Sequence, residues 1–217
     1  ELLLELQKEI KAAGGVAHVV SLDVTQKASI DAAIGKAVAL AGPLHILINN
    51  SGVSTTQKLV DVSEADFDLV FDTNTKGAFF VAQAFARHRL EQADEQAESD
   101  LPIARIVNIA SMAGLRVLSK IGVYCMSKAA VIHMTRAMAL EWGRHGINVN
   151  AIAPGYIDTE INHAHWQTES GQKLVKMLPR KRVGKPEDLD VLLVTLCAGQ
   201  SHFVNGAVIA ADDGFGL

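Results

Sequence analysis

The stretch Leu44-His45-Ile46-Leu47-Ile48-Asn49-Asn50-Ser51-Gly52 shows the pattern that decides the fold, a short apolar run followed by residues that favour a turn. Similar apolar runs occupy residues 16–20, 103–109, 147–153 and 207–210. Between them, helical periodicity fills residues 1–13, 25–41, 63–90, 122–142 and 186–197, and a loop region covers most of the interval after 153. Short strands that alternate with longer helices predict a doubly wound α/β/α fold of three layers, with a mostly parallel sheet.

The composition is that of one globular domain. Of 217 residues, 49% are hydrophobic and 20% are charged, and 24 acidic against 20 basic residues give a net charge of −4. The two signs are spread along the chain, so we expect no nucleic-acid partner. No apolar run approaches the roughly 20 residues of a membrane-spanning helix. Two cysteines, Cys125 and Cys197, are too few for a disulfide framework, and we expect a cytoplasmic protein.

The helix at 63–90 carries a signal at its start and another in its middle. Ser63 followed by Asp66 is a variant of the capping box that begins many helices. Asn74 and Gly77 lie near the centre of the helix, where both residue types cost helix stability. A local kink that serves the site is one interpretation, and a glycine needed only for packing is the other.

A serine, a tyrosine and a lysine follow the strand at 103–109. Tyr124 and Lys128 are four residues apart in a predicted helix, so their side chains can meet. A neighbouring ammonium lowers the pKa of a phenol, and the pair can then act as a general acid or base. Ser111 stands at the strand end and can donate a hydrogen bond to an oxygen that gains charge. Tyr and Lys at this spacing are also common in helices without any chemistry.

The other strand ends carry polar or small residues, where ligands bind in open parallel sheets. They are Asp23 and Val24, then Asn50, Ser51 and Gly52, and finally Pro154, Gly155 and Thr159. Asp23 can accept a hydrogen bond from an adenine amino group, or it merely caps a turn. Gly52 lets a flat ligand approach the backbone, or its segment is a plain turn. Thr159, in the loop that Pro154 and Gly155 open, can reach an amide or a phosphate of a ligand, or the loop is a solvated turn.

Taken together, these residues resemble the short-chain dehydrogenase/reductase family, whose members are Rossmann-type oxidoreductases. The matching motifs are Asp23-Val24, Asn49-Asn50-Ser51-Gly52, Asn74, Ser111, Tyr124-x-x-x-Lys128, Pro154-Gly155 with Thr159, and Arg182-x-Gly184-x-Pro186-Glu187-Asp188. They occur in the family's order and at similar spacings along the whole chain. The resemblance is closest to β-ketoacyl carrier-protein reductases, and it implies hydride transfer between NAD or NADP and a carbonyl or secondary alcohol.

The resemblance also implies roles for single residues. Tyr124 would exchange a proton with the substrate oxygen, and Ser111 would hold that oxygen in place. Lys128 would bind the nicotinamide ribose and depress the pKa of the tyrosine. Asn74 would interrupt its helix and hold a water that links the lysine to solvent. The implied contacts to the cofactor are Asp23, Val24, Asn50, Ser51, Gly52, Tyr124, Lys128, Pro154, Gly155, Ile157 and Thr159, with no metal site.

The chain departs from the family pattern in three places. Ser51 stands where alanine is usual, and Asn205 and Asp213 stand where threonine and glycine are commoner. The glycine-rich βαβ unit that opens the family's sequences, on the order of 40 residues, is absent from this sequence. We expect the physical protein to contain it, with its strands between the runs at 16–20 and 44–48. The phosphate-binding glycines and the residue that selects NAD or NADP belong to that unit.

Several functional alternatives stay open at this point. Residues 155–182 are expected to form a substrate lid with aromatic and aliphatic side chains. The substrate is a small-molecule carbonyl or alcohol, either a 3-oxoacyl compound or a sugar or polyol. The main alternative is a catalytically inactive dinucleotide-binding regulator or a truncated paralogue. The resemblance implies a homotetramer or homodimer through the helices at 63–90 and 122–142.

Overall fold

A parallel sheet lies at the centre of the computed structural model, which describes residues 2–95, 102–160 and 162–217. Within those ranges the sheet has four strands in the order β1-β2-β3-β4. The strands are β1 (Ile46–Asn49), β2 (Ala104–Ile109), β3 (Ile147–Pro154) and β4 (Val208–Ala211). The helices are α1 (Leu2–Ala12), α2 (Lys27–Ala41), α3 (Glu64–Phe71), α4 (Ala78–Glu95), α5 (Gly122–Trp142), α6 (His163–Trp166), α7 (Glu169–Met177) and α8 (Asp190–Cys197).

Helices cover both faces of this sheet. Ile147 and Val149 of β3 pack with Phe85 of α4 and with residues of α5, whereas Ile152 packs with Leu196 of α8 on the opposite face. Alternate side chains of a strand point to opposite faces, so one strand contributes to two cores. All eight residues of β3 are buried, as expected for a central strand of a parallel sheet. The predicted three-layer arrangement is present.

The helix predicted at 63–90 is divided into three parts. Ser63 begins α3 by accepting a hydrogen bond at its Oγ from the Asp66 N–H, at 3.1 Å. A π-helical segment, Asp72–Gly77, separates α3 from α4. A Cβ at Gly77 would lie 2.8 Å from the Val24 carbonyl oxygen, closer than side-chain carbons approach. The helix is therefore interrupted where Asn74 and Gly77 weaken it, and the close approach to Val24 also supports the packing interpretation of the glycine.

Residues 16–20 do not form a strand, contrary to the sequence prediction. The run has no regular secondary structure and pairs with no strand of the described residues, and Gln7 Nε2 donates to the Ala17 carbonyl at 2.8 Å. Strand β1 pairs only with β2 within those residues, and its Ile46 and Ile48 are 48% and 43% exposed. Apolar, extended sequence forms a strand only where neighbouring backbone amides are available to pair with it.

Two other segments differ from the sequence prediction: the loop region at 155–182 contains helices, and the helix predicted from Pro186 begins irregularly. The interval 155–182 contains α6 and α7, and Thr168 Oγ1 caps α7 by accepting from the Gly171 N–H at 3.1 Å. The helix predicted from Pro186 begins as a 3₁₀ turn, Pro186–Leu189, before α8. Among the described residues, no helix is both long enough and apolar enough to cross a bilayer.

Candidate active site

Ser111, Tyr124 and Lys128 come together at the carboxyl end of β2. Helix α5 places the tyrosine and the lysine one turn apart, with the lysine Nζ 5.7 Å from the centroid of the tyrosine ring. Ser111 follows the last residue of β2 by two positions and caps the next 3₁₀ turn, its Oγ accepting from the Ala113 N–H at 3.1 Å. A Cβ at Gly114 would lie 2.7 Å from the Lys128 carbonyl carbon, so this glycine lets the serine's turn press against α5.

Burial raises the pKa of the Tyr124 phenol. A hydrogen bond with the Ser111 side chain opposes that effect, and the nearby Cys125 thiol adds to it. The net shift is upward and Lys128 is not among its causes, so a lowering of the Tyr124 pKa by Lys128 stays a prediction. The ammonium lies over the Tyr124 ring, and its hydrogen bond goes to the Ile109 carbonyl, at 2.7 Å. At neutral pH the phenol is protonated, which suits a proton donor.

Lys128 is itself strongly buried, at 4% exposure. Burial lowers the pKa of its ammonium from 10.5 to about 8, because a low-dielectric environment disfavours the charged form. A lysine with that pKa gives up and regains a proton near neutral pH. The protein therefore tunes the lysine more than it tunes the tyrosine.

Asn74 lies in the π-helical segment with its side chain 1% exposed. Its Oδ1 accepts from the Val53 N–H at 2.8 Å and its Nδ2 donates to the Val53 carbonyl at 2.9 Å. These two bonds fix the orientation of the amide. A Cβ at Gly52 would lie 3.4 Å from both Asn74 Oδ1 and Lys128 Nζ, so the turn after β1 sits directly against both groups.

Ser127 is a site residue that the sequence reasoning missed. Its buried Oγ accepts from Asn74 Nδ2 at 2.9 Å and donates to the Tyr124 carbonyl at 2.8 Å. One hydroxyl thus joins the asparagine to the helical turn that carries the tyrosine. A polar residue three positions after Tyr124, directly before Lys128, was the available signal, because it shares their helix face.

We expect Ser127→Ala to reduce kcat about three- to tenfold with little change in KM. The variant leaves one buried N–H of Asn74 without its acceptor, which costs about 1–3 kcal/mol and loosens the asparagine. Steady-state kinetics and thermal unfolding measure both effects. Ser201→Ala is the matched control, since that buried hydroxyl donates only to the Leu196 and Ala198 carbonyls, at 3.1 and 2.8 Å. Equal kcat losses in the two variants would contradict this role.

The residues predicted to hold the adenosine half of a dinucleotide lie near the end of β1. Val24, Asn50 and Ser51 line one small cavity of about 80 Å³. Asp23 Oδ1 accepts from the Thr25 N–H at 2.9 Å and from its hydroxyl at 2.7 Å, and these bonds lower the pKa of the carboxyl. The aspartate therefore caps a turn here and stays charged.

The residues predicted for the nicotinamide half follow β3. The Gly155 N–H donates to the Ala211 carbonyl at 3.0 Å, and a Cβ at Gly155 would lie 2.7 Å from Asp212 Cα. The buried Pro154 ends β3, and Ile157 forms an isolated bridge with Gly184. Thr159 is exposed, and its N–H donates to Asn162 Oδ1 at 2.8 Å at the start of the 155–182 segment.

The structure accounts for two departures from the family pattern. Asn205 Oδ1 accepts from the Val149 N–H at 2.8 Å while its Nδ2 donates to the Ala139 carbonyl at 3.0 Å, which ties β3 to α5. Asp213 has a φ of +56°, a backbone region that glycine adopts more readily. Its carboxylate pairs with Arg182 Nε at 2.7 Å and Arg180 Nε at 3.3 Å, and these contacts offset the strain.

The chain matches a family described as enoyl-(acyl carrier protein) reductase over residues 2–216. It is 34% identical over 212 residues to the 2-dehydro-3-deoxy-D-gluconate 5-dehydrogenase of Escherichia coli strain K12, covering 97% of this chain and 81% of that protein. It is 29% identical over 219 residues to an NAD-dependent glycerol dehydrogenase of Listeria innocua, covering 99% and 83%. A crystal structure of the Burkholderia cenocepacia gluconate 5-dehydrogenase in complex with NADP and tartrate resembles it with a TM-score of 0.88 at 31% identity, covering 97% and 80%. The predicted Rossmann-type fold is confirmed.

Proposed function

The chain belongs to the short-chain dehydrogenase/reductase family of oxidoreductases, and we propose that it interconverts a ketone and a secondary alcohol in a sugar, sugar acid or polyol with NAD or NADP. The observation that carries this proposal is the convergence of Asn74, Ser111, Tyr124 and Lys128 at one end of the sheet. The relatives named for gluconate derivatives and glycerol favour a hydroxylated substrate over a 3-oxoacyl compound.

The residues present fit a dinucleotide. An ammonium has three donors, and Lys128 Nζ uses one of them on the Ile109 carbonyl, its only hydrogen bond within the described ranges. Gly52 has no side chain to cover that ammonium, since a Cβ there would lie 3.4 Å from Nζ, and the remaining donors suit the hydroxyl groups of a ribose. Asp23, Val24 and the turn after β1 would hold the adenosine half, and residues 154–159 the nicotinamide half. When bound, the cofactor gives a hydride to the carbonyl carbon or takes one from the alcohol carbon.

Tyr124 and Ser111 act on the substrate oxygen. In the reducing direction the Tyr124 phenol donates its proton to that oxygen, while the Ser111 hydroxyl donates a hydrogen bond to it. Burial keeps the phenol protonated and ready to donate. The Lys128 ammonium stabilises the resulting phenolate, and its pKa of about 8 lets it pass on a proton. Asn74 Oδ1, which lies on the same side of Gly52 as the ammonium, would hold a water that carries the proton between Lys128 and solvent.

The assay that tests this proposal follows oxidation of NADH and NADPH at 340 nm with a panel of carbonyl compounds. We expect turnover with D-fructose, 5-keto-D-gluconate or dihydroxyacetone, and much slower turnover with a 3-oxoacyl thioester or an enoyl thioester. Turnover of the enoyl thioester alone would overturn the proposal in favour of double-bond reduction. Tight NADPH binding without turnover of any compound would instead support the dinucleotide-binding regulator.

We propose a homodimer or homotetramer that uses the outer faces of α4 and α5. A groove of about 800 Å³ on that side is lined by apolar residues that include Phe79, Met134 and Trp142, and Leu140 on α5 is 85% exposed. Apolar surface of this extent commonly marks a protein–protein interface. Light scattering of the purified protein is expected to give a mass of two or four chains. The two cysteines are unpaired, which agrees with the proposed cytoplasmic location.

A further inference from the structure

We propose that Tyr156 recognises the substrate beyond its reacting carbon, by a hydrogen bond between its phenol hydroxyl and a hydroxyl group of the substrate. This inference rests on the proposed function, and it assigns the preference for a hydroxylated ketone to one atom of the chain. Tyr156 follows Gly155 in the loop after β3, in the segment proposed as the substrate lid.

The ring of Tyr156 is held by aromatic contacts from two other segments. Trp166 of α6 meets it edge-on, with the ring centroids 5.5 Å apart and an interplanar angle of 79°. Phe215 near the carboxyl terminus meets it at 5.3 Å and 49°. Arg116 steadies Phe215 in turn, with its guanidinium 5.7 Å from the ring centroid and Nη1 donating to the Phe215 carbonyl at 3.0 Å. The position of the Tyr156 ring is therefore set before any ligand binds.

The Tyr156 hydroxyl makes no hydrogen bond to any residue that the structure describes. The side chain is half-buried, and burial raises the pKa of the phenol, so the group is a neutral donor and acceptor at physiological pH. A phenol that a fold brings into its interior usually finds a partner, because an unmade bond costs free energy. The fixed ring with a free hydroxyl is what one expects of a group whose partner is the ligand.

Packed side chains connect Tyr156 to the reacting residues. Phe215 and Tyr124 pack against one hydrophobic cluster, which contains Cys125. Because Phe215 also contacts the Tyr156 ring, Tyr156 is one side-chain contact away from the cluster against which Tyr124 packs.

The space next to Tyr156 suits a polyol better than an acyl chain or a charged group. Tyr156 and Phe215 line a cavity of about 340 Å³, within the range of small-molecule sites, and Ser111, Tyr124 and Lys128 are not among its lining residues. Arg180 and Arg182 also line it, but both guanidinium groups are paired with Asp213. A ring face packs against the C–H groups of a sugar chain, and the phenol hydroxyl then pairs with one of its hydroxyls.

The test uses Tyr156→Phe, which keeps the ring and its contacts and removes only the oxygen. We expect kcat/KM to fall about tenfold for D-fructose, mainly through KM, and to change less than twofold for 2-hexanone, which lacks hydroxyl groups. Trp166→Phe is the control for altered lid packing, and it should affect both ketones alike. Thermal unfolding of each variant checks that the fold is intact.

Equal changes for the two ketones in Tyr156→Phe, or no change for either, would overturn this inference and leave the proposed function standing. A wild-type protein that reduces 2-hexanone but no hydroxylated ketone would also overturn it, with the oxidoreductase chemistry intact. A wild-type protein that reduces no ketone at all defeats the proposed function, and this inference falls with it.

Discussion

Tyr124→Phe is expected to lower kcat by about 10²- to 10⁴-fold, the usual contribution of a positioned acid or base. The change removes one oxygen, so the ring keeps its contacts with the Met112–Ala113–Cys125 cluster. Affinity for NADH or NADPH should change less than threefold, because the substrate oxygen is the group that loses its proton donor. Steady-state kinetics with the best hydroxylated ketone and fluorescence titration with NADPH measure the two quantities.

The matched control for this variant is Tyr156→Phe, since the chain has two tyrosines. That variant should retain kcat within a few-fold while its KM rises. If Tyr124→Phe keeps wild-type turnover, the proton donor is another group and the assignment is wrong. If neither the wild-type protein nor the variant turns over while both bind NADPH, the protein is a dinucleotide-binding regulator.

Lys128→Met should reduce kcat at least 100-fold without destabilising the protein at pH 7. The fold lowers the Lys128 pKa to about 8. The charged form of the side chain is therefore about 3 kcal/mol less stable in the folded protein than in water. Methionine removes that penalty and also removes the bond to the Ile109 carbonyl, which contributes about 1–2 kcal/mol. We therefore expect the free energy of unfolding to rise by about 1 kcal/mol while activity is lost.

The pH dependence of unfolding checks the same assignment. A lysine whose folded pKa is about 8 and whose ordinary value is 10.5 binds fewer protons in the folded state between those two pH values. Wild-type stability therefore gains a contribution as pH rises from 8 to 10.5, and Lys128→Met lacks it. The exposed Lys36→Met serves as control. The lowered pKa of Lys128 would be contradicted by the opposite result. In that result the wild-type protein is more stable than Lys128→Met at pH 7 and loses this advantage as pH rises.

Local sequence signals predicted much of the site. The spacing of Tyr124 and Lys128 on one helix, and the helix-weakening pair Asn74 and Gly77, each depend on neighbours within a few residues. The structure places these groups together as expected. Their roles in catalysis remain predictions for the variants above to test.

The features that the sequence could not predict all depend on distant contacts. Residues 16–20 have the composition of a strand, but a strand requires a neighbouring one to pair with. Lys128 lies over the Tyr124 ring as the helix spacing predicts, but the hydrogen bond of its ammonium goes to the carbonyl of Ile109, a residue 19 positions away. Ser127 and Asn205 act through partners 53 and 56 residues away in the chain. No local pattern records such contacts.

The pH dependence of catalysis in both directions, measured between pH 6 and 8, shows whether Tyr124 exchanges the proton with the substrate. Oxidation of an alcohol needs the unprotonated Tyr124 phenol, whose pKa burial raises above its ordinary value of 10. We expect kcat/KM for oxidation of D-sorbitol to rise nearly tenfold per pH unit and kcat/KM for reduction of D-fructose to stay flat. We also expect the residual oxidation by Tyr124→Phe to lose the rise. An oxidation rate independent of pH in the wild-type protein, or the same rise in Tyr124→Phe, would contradict the assignment of Tyr124 as the group that exchanges the proton.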